Sequence, residues 1–341
     1  VFKKSNVKIC CIVHGQFPGK IAISGDAQLV WDNVENEIKK FFDIPPSDAE
    51  IKKAQKFLDD YRIALPVPSS YSKKSLPGFT ILDLKLFVRW VKDSFLSRNN
   101  SNIFYRSPLE LITIKLRRYL RSIFSRKIFN PLPLNEAEEY VFFPLHFQPE
   151  ATTMPYGNFY FDQINAVRVL SSCLKNDIKI YVKEHPDTFN LDRTAWSRGL
   201  FSKHIDYYND LSNIKQVRII DINTSNNLLL KNSLFVATIA GTSAVQAALY
   251  KKNSLVFGDA WFKHCEGILS VRNTKEIKEF LNQKKYNCEV DIKKIEHFFD
   301  ILNANSCAWS KTRIIKREDR HIGELTSLII KRLSEINNKS V

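Results

Sequence analysis

The chain has 341 residues, 44% of them hydrophobic and 12% aromatic, and a formal net charge of +15. That length favours two domains over one, while no apolar run reaches the roughly 18–20 residues of a membrane-spanning helix and the start lacks a secretory signal pattern. The positive balance points to an anionic partner, but no zinc finger, RNP-type aromatic motif or Lys/Arg-rich tail accompanies it, so nucleic acid is set aside and a polyanionic substrate or an anionic membrane surface remains.

The chain opens on Val1 rather than Met and passes almost directly into a strand-like run at 7–13. We therefore expect its natural start to be missing, or the chain to be a piece of a longer protein. A helix follows at 27–42, with Leu29, Val30, Val34, Ile38 and Phe41 near helical spacing. Pro45-Pro46-Ser47-Asp48 makes a turn able to cap a helix at 49–61. A Pro- and Ser-rich loop at 64–78 precedes another helix at 79–96. Pro108 starts a basic helix: within 111–127, Leu111, Ile112, Leu116, Tyr119, Leu120 and Ile123 are apolar, and Arg and Lys crowd the other positions. It reads either as a solvated helix packed on its own domain or as a cationic amphipathic surface for anionic lipid. Pro131-Leu132-Pro133 breaks the chain, and the domain boundary is placed at 134.

From 139 the rhythm changes. Strands at 141–145, 178–182, 216–220, 234–238 and 254–257 alternate with helices at 163–173, 196–210, 224–231 and 243–250. Helices at 275–283 and 292–302 and a terminal amphipathic helix at 321–337 follow. This alternation implies an α/β fold with a doubly wound parallel sheet. The expected division is 1–134, 135–320, and a C-terminal helix in 321–341 able to cross between domains. Six scattered cysteines form no CxxC pair and no zinc spacing, which fits a reducing, cytoplasmic compartment.

Open α/β sheets bind ligands outside the carboxyl ends of their strands, and three strand ends here carry polar groups. His146-Phe147-Gln148-Pro149-Glu150 leaves the first strand of the second domain. Glu150 is the best-placed carboxylate, suited to act as a base or to stabilise or capture an oxocarbenium-like centre; its competing role is to cap the turn at 151–153. Asp162 reads as a helix cap. Lys183-Glu184-His185-Pro186 ends the next strand, and the proline favours an extended backbone at His185. An imidazole there can donate to a phosphate oxygen or move a proton, or serve only as a turn residue. Lys183, Arg193 and Arg198 supply positive charge to a phosphate or to the surface. Gly241-Thr242-Ser243 lies between a strand and a helix, where free N–H groups and hydroxyls can hold a phosphate; Thr242 or Ser243 serves equally as a plain N-cap. There is no GxGxxG or Walker pattern, which argues against NAD and ATP. In the first domain, His14-Gly15-Gln16 and Ser24-Gly25-Asp26 end strand-like runs, making Asp26 a rival base. Trp261-Phe262 offers an aromatic pair able to stack on a base or sugar.

Taken together, Phe143-Pro144-Leu145-His146-Phe147-Gln148-Pro149-Glu150, Lys183-Glu184-His185-Pro186, Gly241-Thr242-Ser243 and Phe257-Gly258-Asp259-Ala260-Trp261-Phe262 resemble the bacterial capsule polysaccharide biosynthesis family, which includes Kdo transferases with QP and HP motifs. The resemblance covers roughly 139–265. It implies a GT-B-like architecture of two Rossmann-like domains facing a central cleft, with 1–134 on the acceptor side and 135–320 binding the nucleotide sugar. It implies a CMP-activated 2-keto sugar acid as donor, with His185 on its phosphate and Thr242 and Ser243 beside it. Glu150 then faces the donor sugar in the place of a nucleophile, and Gln148 completes the QP motif. No cofactor and no metal is implied, because helix N-termini and cations can offset the charge of a leaving phosphate. The implied partners are a nucleotide sugar, a glycan or glycolipid acceptor and, through 111–127, an anionic membrane surface on the inner face of the bacterial inner membrane. The chain departs from the family at Gln246, where a glutamate often binds ribose hydroxyls. That departure leaves CDP- and UDP-activated donors open, as well as a polyol-phosphate transferase of teichoic-acid type and a non-catalytic scaffold of capsule assembly.

Overall fold

The structure, a computed structural model, describes residues 11–14, 20–24, 135, 137–148, 150, 153–154, 156–185, 188 and 205–308, and also 49, 88, 92, 113, 323, 325–331 and 334. The helices expected at 27–42, 49–61, 79–96 and 111–127 lie outside these residues except for Ala49, Val88, Lys92 and Thr113, all helical. Asp26, Pro186, Arg193 and Arg198 lie outside them too. Of the terminal helix expected at 321–337, residues 323, 325–331 and 334 are helical.

The described fold is α/β. A six-stranded sheet is built from β3 (Tyr140–Pro144), β4 (Lys179–Lys183), β5 (Val217–Ile220), β6 (Val236–Thr238), β7 (Ser254–Val256) and β8 (Ile268–Ser270), in the order β5-β4-β3-β6-β7-β8. The pairs β3/β4, β3/β6, β4/β5 and β7/β8 are all parallel. The intervening helices are α1 (Gln163–Cys173), α2 (Ile205–Ser212), α3 (Asn226–Asn232) and α4 (Ser243–Leu249), followed by α5 (Thr274–Asn282) and α6 (Ile292–Ala304). A second, antiparallel sheet joins β1 (Cys11–His14), β2 (Lys20–Ser24) and β9 (Ser306–Ala308) in the order β1-β2-β9.

The chain separates into two compact units, 66–239 and 1–65 with 240–341. The boundary expected at 134 falls inside the first of these. In unit 66–239 the core is set by β3, where Val141, Phe142 and Phe143 are fully buried in succession. A continuous apolar run of this kind marks a strand covered on both faces. α1 lays Ala166, Val167 and Leu170 into the core at helical spacing, and starts where Asp162 Oδ1 accepts the Ile164 N–H at 3.1 Å, the expected cap. The other unit gathers Ala244, Val256, Phe262, Ile295, Phe299 and Leu302 in one cluster. There α5 and α6 are capped by Asn273 and Asp291.

Two differences from the sequence pattern have local causes. The helix expected at 224–231 begins only at Asn226, because Asp221 folds the chain into a turn. Its side chain accepts the Asn223 N–H at 2.6 Å and its carbonyl the Thr224 N–H at 3.0 Å. β8 and β9 have three residues each, too short to show the period-2 alternation that reveals a strand.

Candidate functional site

In the strand order, the chain runs outward from β3 through β4 to β5 and then returns to the other side of β3 at β6. The crevice where that reversal occurs, past the carboxyl ends of β3 and β6, is where doubly wound sheets take their ligands.

β3 stays paired one residue past its end, with the Leu145 N–H donating to the Lys183 carbonyl at 2.8 Å. His146 then leaves the sheet, and Gln163, the first residue of α1, takes over as its partner. The amide oxygen of Gln163 accepts the His146 N–H at 2.7 Å, and its amide nitrogen donates to the His146 carbonyl at 3.2 Å. Gln163 is fully buried, so this two-point clamp replaces the missing strand in a dry environment. The imidazole it presents is 7% exposed. Its Nε2 lies 3.1 Å from the Thr238 hydroxyl at the end of β6, and its Nδ1 lies 3.9 Å from Glu150 Oε2. The His146–Thr238 contact therefore spans the reversal point itself.

Glu150 does cap the turn after it, but with its carbonyl rather than its carboxylate. That carbonyl accepts the N–H groups of Thr153 and Met154 at 3.0 and 2.9 Å and the Thr153 hydroxyl at 3.0 Å. The carboxylate is left 36% exposed beside His146. The turn continues through the Gly157 N–H to the Thr153 carbonyl, so tight that a Cβ on Gly157 would lie 2.4 Å from that oxygen. Gln148 spends its amide on the Phe161 carbonyl at 2.6 Å and fixes the far side of the same loop.

The end of β4 carries three polar residues with distinct duties. Lys183 is 5% exposed and donates to the Thr224 carbonyl at 2.6 Å and Asn226 Oδ1 at 2.5 Å. Burial pulls its ammonium down to about 8, with the Asp221 carboxylate opposing. The lysine thus ties β4 to the loop after β5. Glu184 is 1% exposed, and its carboxylate accepts the His185 N–H at 2.7 Å, the Thr188 hydroxyl at 3.0 Å and the Tyr208 hydroxyl at 2.6 Å. Burial first, and then the charge of Glu184, push the Tyr208 phenol far up, so it stays a donor. Glu184 and Lys183, expected at the donor, are bonded internally and hold the loop in shape. His185 is half-buried, its ring centroid 5.9 Å from that of Phe147.

In the other unit, Thr242 occupies the N-cap position of α4 without a side-chain capping bond. The Ser243 hydroxyl is buried with no hydrogen-bond partner among the described residues. Gly241 and Gln246 are half-buried, and the Gln246 N–H donates to the Thr242 carbonyl at 3.0 Å. Trp261 and Phe262, expected as a stacking pair, are 9% and 0% exposed and belong to the apolar cluster. Packing on Phe298 and on each other has claimed them.

Sequence reasoning singled out Glu150 and His185 but gave no role to His146, Thr238 or Tyr208, and offered Gln163 only, with Asp162, as a cap of the following helix. The signal for His146 was present, because it stands two residues past a strand end inside the same motif. The other three owe their place to contacts across 17 to 92 residues of sequence.

A family model described as "Capsule polysaccharide biosynthesis protein" matches residues 96–293, more than half of the chain. No protein of curated function matches it in sequence. Among solved structures, the chain is similar to the KpsC β-Kdo 2,7 transferase of Thermosulfurimonas dismutans, with 12% identity, 65% of this chain and 60% of that one covered, and a TM-score of 0.32. For the KpsC β-Kdo 2,4 transferase of the same organism the values are 11%, 59%, 64% and 0.31. For the wall teichoic acid polymerase TagF they are 13%, 76%, 64% and 0.27. The chain thus spans less than two thirds of the length of each. Among the described residues, no helix is long and apolar enough to cross a membrane.

Proposed function

The chain belongs to the capsule polysaccharide biosynthesis family, and we propose that it is a glycosyltransferase of cell-surface polysaccharide synthesis that moves Kdo or a related 2-keto sugar acid from a CMP-activated donor to a glycan or glycolipid acceptor. The observation that carries the reading is the set of polar side chains past the carboxyl ends of neighbouring strands: His146 on Thr238 across the reversal point, Glu150 beside it, and His185 past β4. The resemblance of the QP and HP motifs supports this choice of donor. In this reading the half-exposed Glu150 carboxylate faces the anomeric centre, where it stabilises positive charge or attacks it. The His185 imidazole donates to the leaving phosphate. Gly241, Thr242, Ser243 and Gln246 are proposed for the nucleotide, in a two-domain GT-B arrangement that acts without a metal or cofactor. The basic stretch 111–127 is proposed to meet anionic lipid at the inner face of the inner membrane.

The test is CMP release from CMP-Kdo, supplied by a coupled generating system, with a capsule-type acceptor present. Wild type should turn over, while Glu150→Gln and His185→Ala should each lose roughly 100-fold or more in kcat. Consumption of CDP-glycerol instead, with Glu150 dispensable, overturns the donor assignment. Nucleotide binding without turnover of any donor overturns the transferase reading.

A further inference from the structure

We propose that the loop ending in Phe161 seats the acceptor: Phe159 and Phe161 form an aromatic ledge for the ring of an uncharged sugar, next to the strand exit that carries Glu150. That this sugar is the acceptor rests on the transferase reading, whereas the ledge and its preference for a neutral ring do not.

Seven large apolar side chains are exposed among the described residues, and three of them, Met154, Phe159 and Phe161, fall on this one loop at 57%, 68% and 47% exposure. Scattered exposed apolar residues need no explanation, but a group on one loop marks a surface that meets something. The fold holds the group in place. Asn158–Phe161 is a single 3-10 turn whose buried residue is Tyr160. With Tyr160 in the core, its two neighbours are left outside, where polar side chains would serve the fold as well. Phe159 rests edge-on against Tyr160, with ring centroids 5.4 Å apart at 80°, so its exposed ring has a fixed support. The Phe161 carbonyl accepts the Gln148 amide N–H at 2.6 Å. That bond closes the loop and brings Phe161 alongside the chain two residues before Glu150.

Charge selects the occupant. From 128 to 167 the sequence has no Lys or Arg, while Glu150 and Asp162 flank the ledge along the chain. An anionic lipid headgroup, a phosphate or an acidic sugar would meet carboxylates that no cation of this stretch offsets. A neutral pyranose fits: its C–H face packs on an aromatic ring, and its hydroxyls need a few polar groups at the edge. Asn158 is one such group. It is exposed, carries both a donor and an acceptor, and precedes Phe159 with a φ of 47°, a left-handed conformation that asparagine tolerates. The family is one of polysaccharide biosynthesis, so a saccharide is the ligand at hand.

The main test needs no sugar donor. Saturation-transfer difference NMR on the full chain uses the methyl glycosides of glucose, galactose, mannose and N-acetylglucosamine as neutral probes, and methyl glucuronide as the acidic counterpart. We expect saturation of the ring C–H protons of at least one neutral probe. The signal should fall about fivefold or more in the double variant Phe159→Leu/Phe161→Leu and survive in Phe159→Tyr. Leucine keeps the exposed positions apolar, so an undiminished signal in the double variant overturns the aromatic ledge. Silence from every neutral probe overturns it, and so does a phenylalanine-dependent signal from methyl glucuronide as strong as that of the best neutral probe. Phenylalanine-dependent binding to phosphatidylglycerol vesicles, or self-association of the chain that the double variant abolishes, assigns the surface to another occupant and overturns it as well. In the turnover assay, the double variant should raise the KM for the acceptor about tenfold or more, with the KM for CMP-Kdo within about threefold. Equal rises in both overturn the acceptor assignment. A wild type inactive on every donor removes the transferase reading alone, and the NMR result then decides whether the ledge takes a neutral sugar.

Discussion

The link between Tyr208 and Glu184 sets a value that a single atom can test. Replacing Tyr208 with Phe removes one oxygen and keeps the shape of a ring that is 1% exposed, so no cavity opens. What is lost is a 2.6 Å bond to a carboxylate that is itself 1% exposed. A hydrogen bond to a charged group contributes about 1.5–3 kcal/mol, and a buried carboxylate deprived of a donor lies in the upper part of that range. The expected loss is about 2 kcal/mol, equivalent to a roughly 30-fold change in an opening equilibrium. The chain has two compact units, so global unfolding is a poor monitor. Native-state hydrogen exchange of the β4 amides reads the opening of this unit directly. Their protection should fall by that factor in Tyr208→Phe. The pH dependence has a definite sign. The phenol is raised by burial and by Glu184, so the native state holds this proton where the unfolded chain, at about 10, releases it. The advantage of wild type over Tyr208→Phe is therefore full below about pH 10 and shrinks above it. A protection change under about threefold, or a difference that grows above pH 10, would refute the argument that Glu184 is a charged anchor for the His185 loop.

Two further outcomes follow from neighbouring contacts. Lys183 is lowered to about 8 by burial, so between there and the unfolded value of about 10.5 the unfolded state binds more protons; relative to Lys183→Met, wild type should gain stability as pH rises through that window, by up to about 1.4 kcal/mol per unit, in denaturant titrations at pH 7, 8, 9 and 10. In Gly157→Ala the new methyl meets the Thr153 carbonyl at 2.4 Å and Ile239 Cγ2 at 3.1 Å, so the loop from Glu150 must shift; a loss of about 1–3 kcal/mol is expected, read as a lower thermal midpoint together with reduced Glu150-dependent turnover.

Much of the parallel sheet was legible because its strands advertise themselves twice. Val141–Phe143 and Ile180–Val182 are apolar runs of the right length, and the helix 163–173 carries both a cap and a face. The same patterning placed Glu150 and His185 at strand ends, since an end is visible wherever an apolar run meets Pro or a charge. Legibility failed where one side chain overrides the pattern. Asp221 delays a helix by folding the chain locally, and nothing in the apolar period of 224–231 records it. It failed again where charge suggested exposure. Lys183 and Glu184 read as ligand-facing ions, yet each is buried, with hydrogen-bond partners 24 to 43 residues away in sequence. Composition cannot separate a cation waiting for a phosphate from one already satisfied by a carbonyl.

That distinction bears on how variants at this site are to be interpreted. Of the polar residues past β3 and β4, His146, Lys183 and Glu184 are buried with internal partners, while Glu150 and His185 keep part of their surface exposed. Removing a buried partner leaves a desolvated polar group behind and should cost stability and function together. Removing a half-exposed group leaves its surroundings within reach of water and should cost mainly function. Glu150→Gln and His185→Ala should therefore melt near wild type, whereas Glu184→Ala and Lys183→Ala should not. If Glu150→Gln were as unstable as Glu184→Ala, its carboxylate would belong to the scaffold, and the case for Glu150 as the group facing a substrate would fall with it.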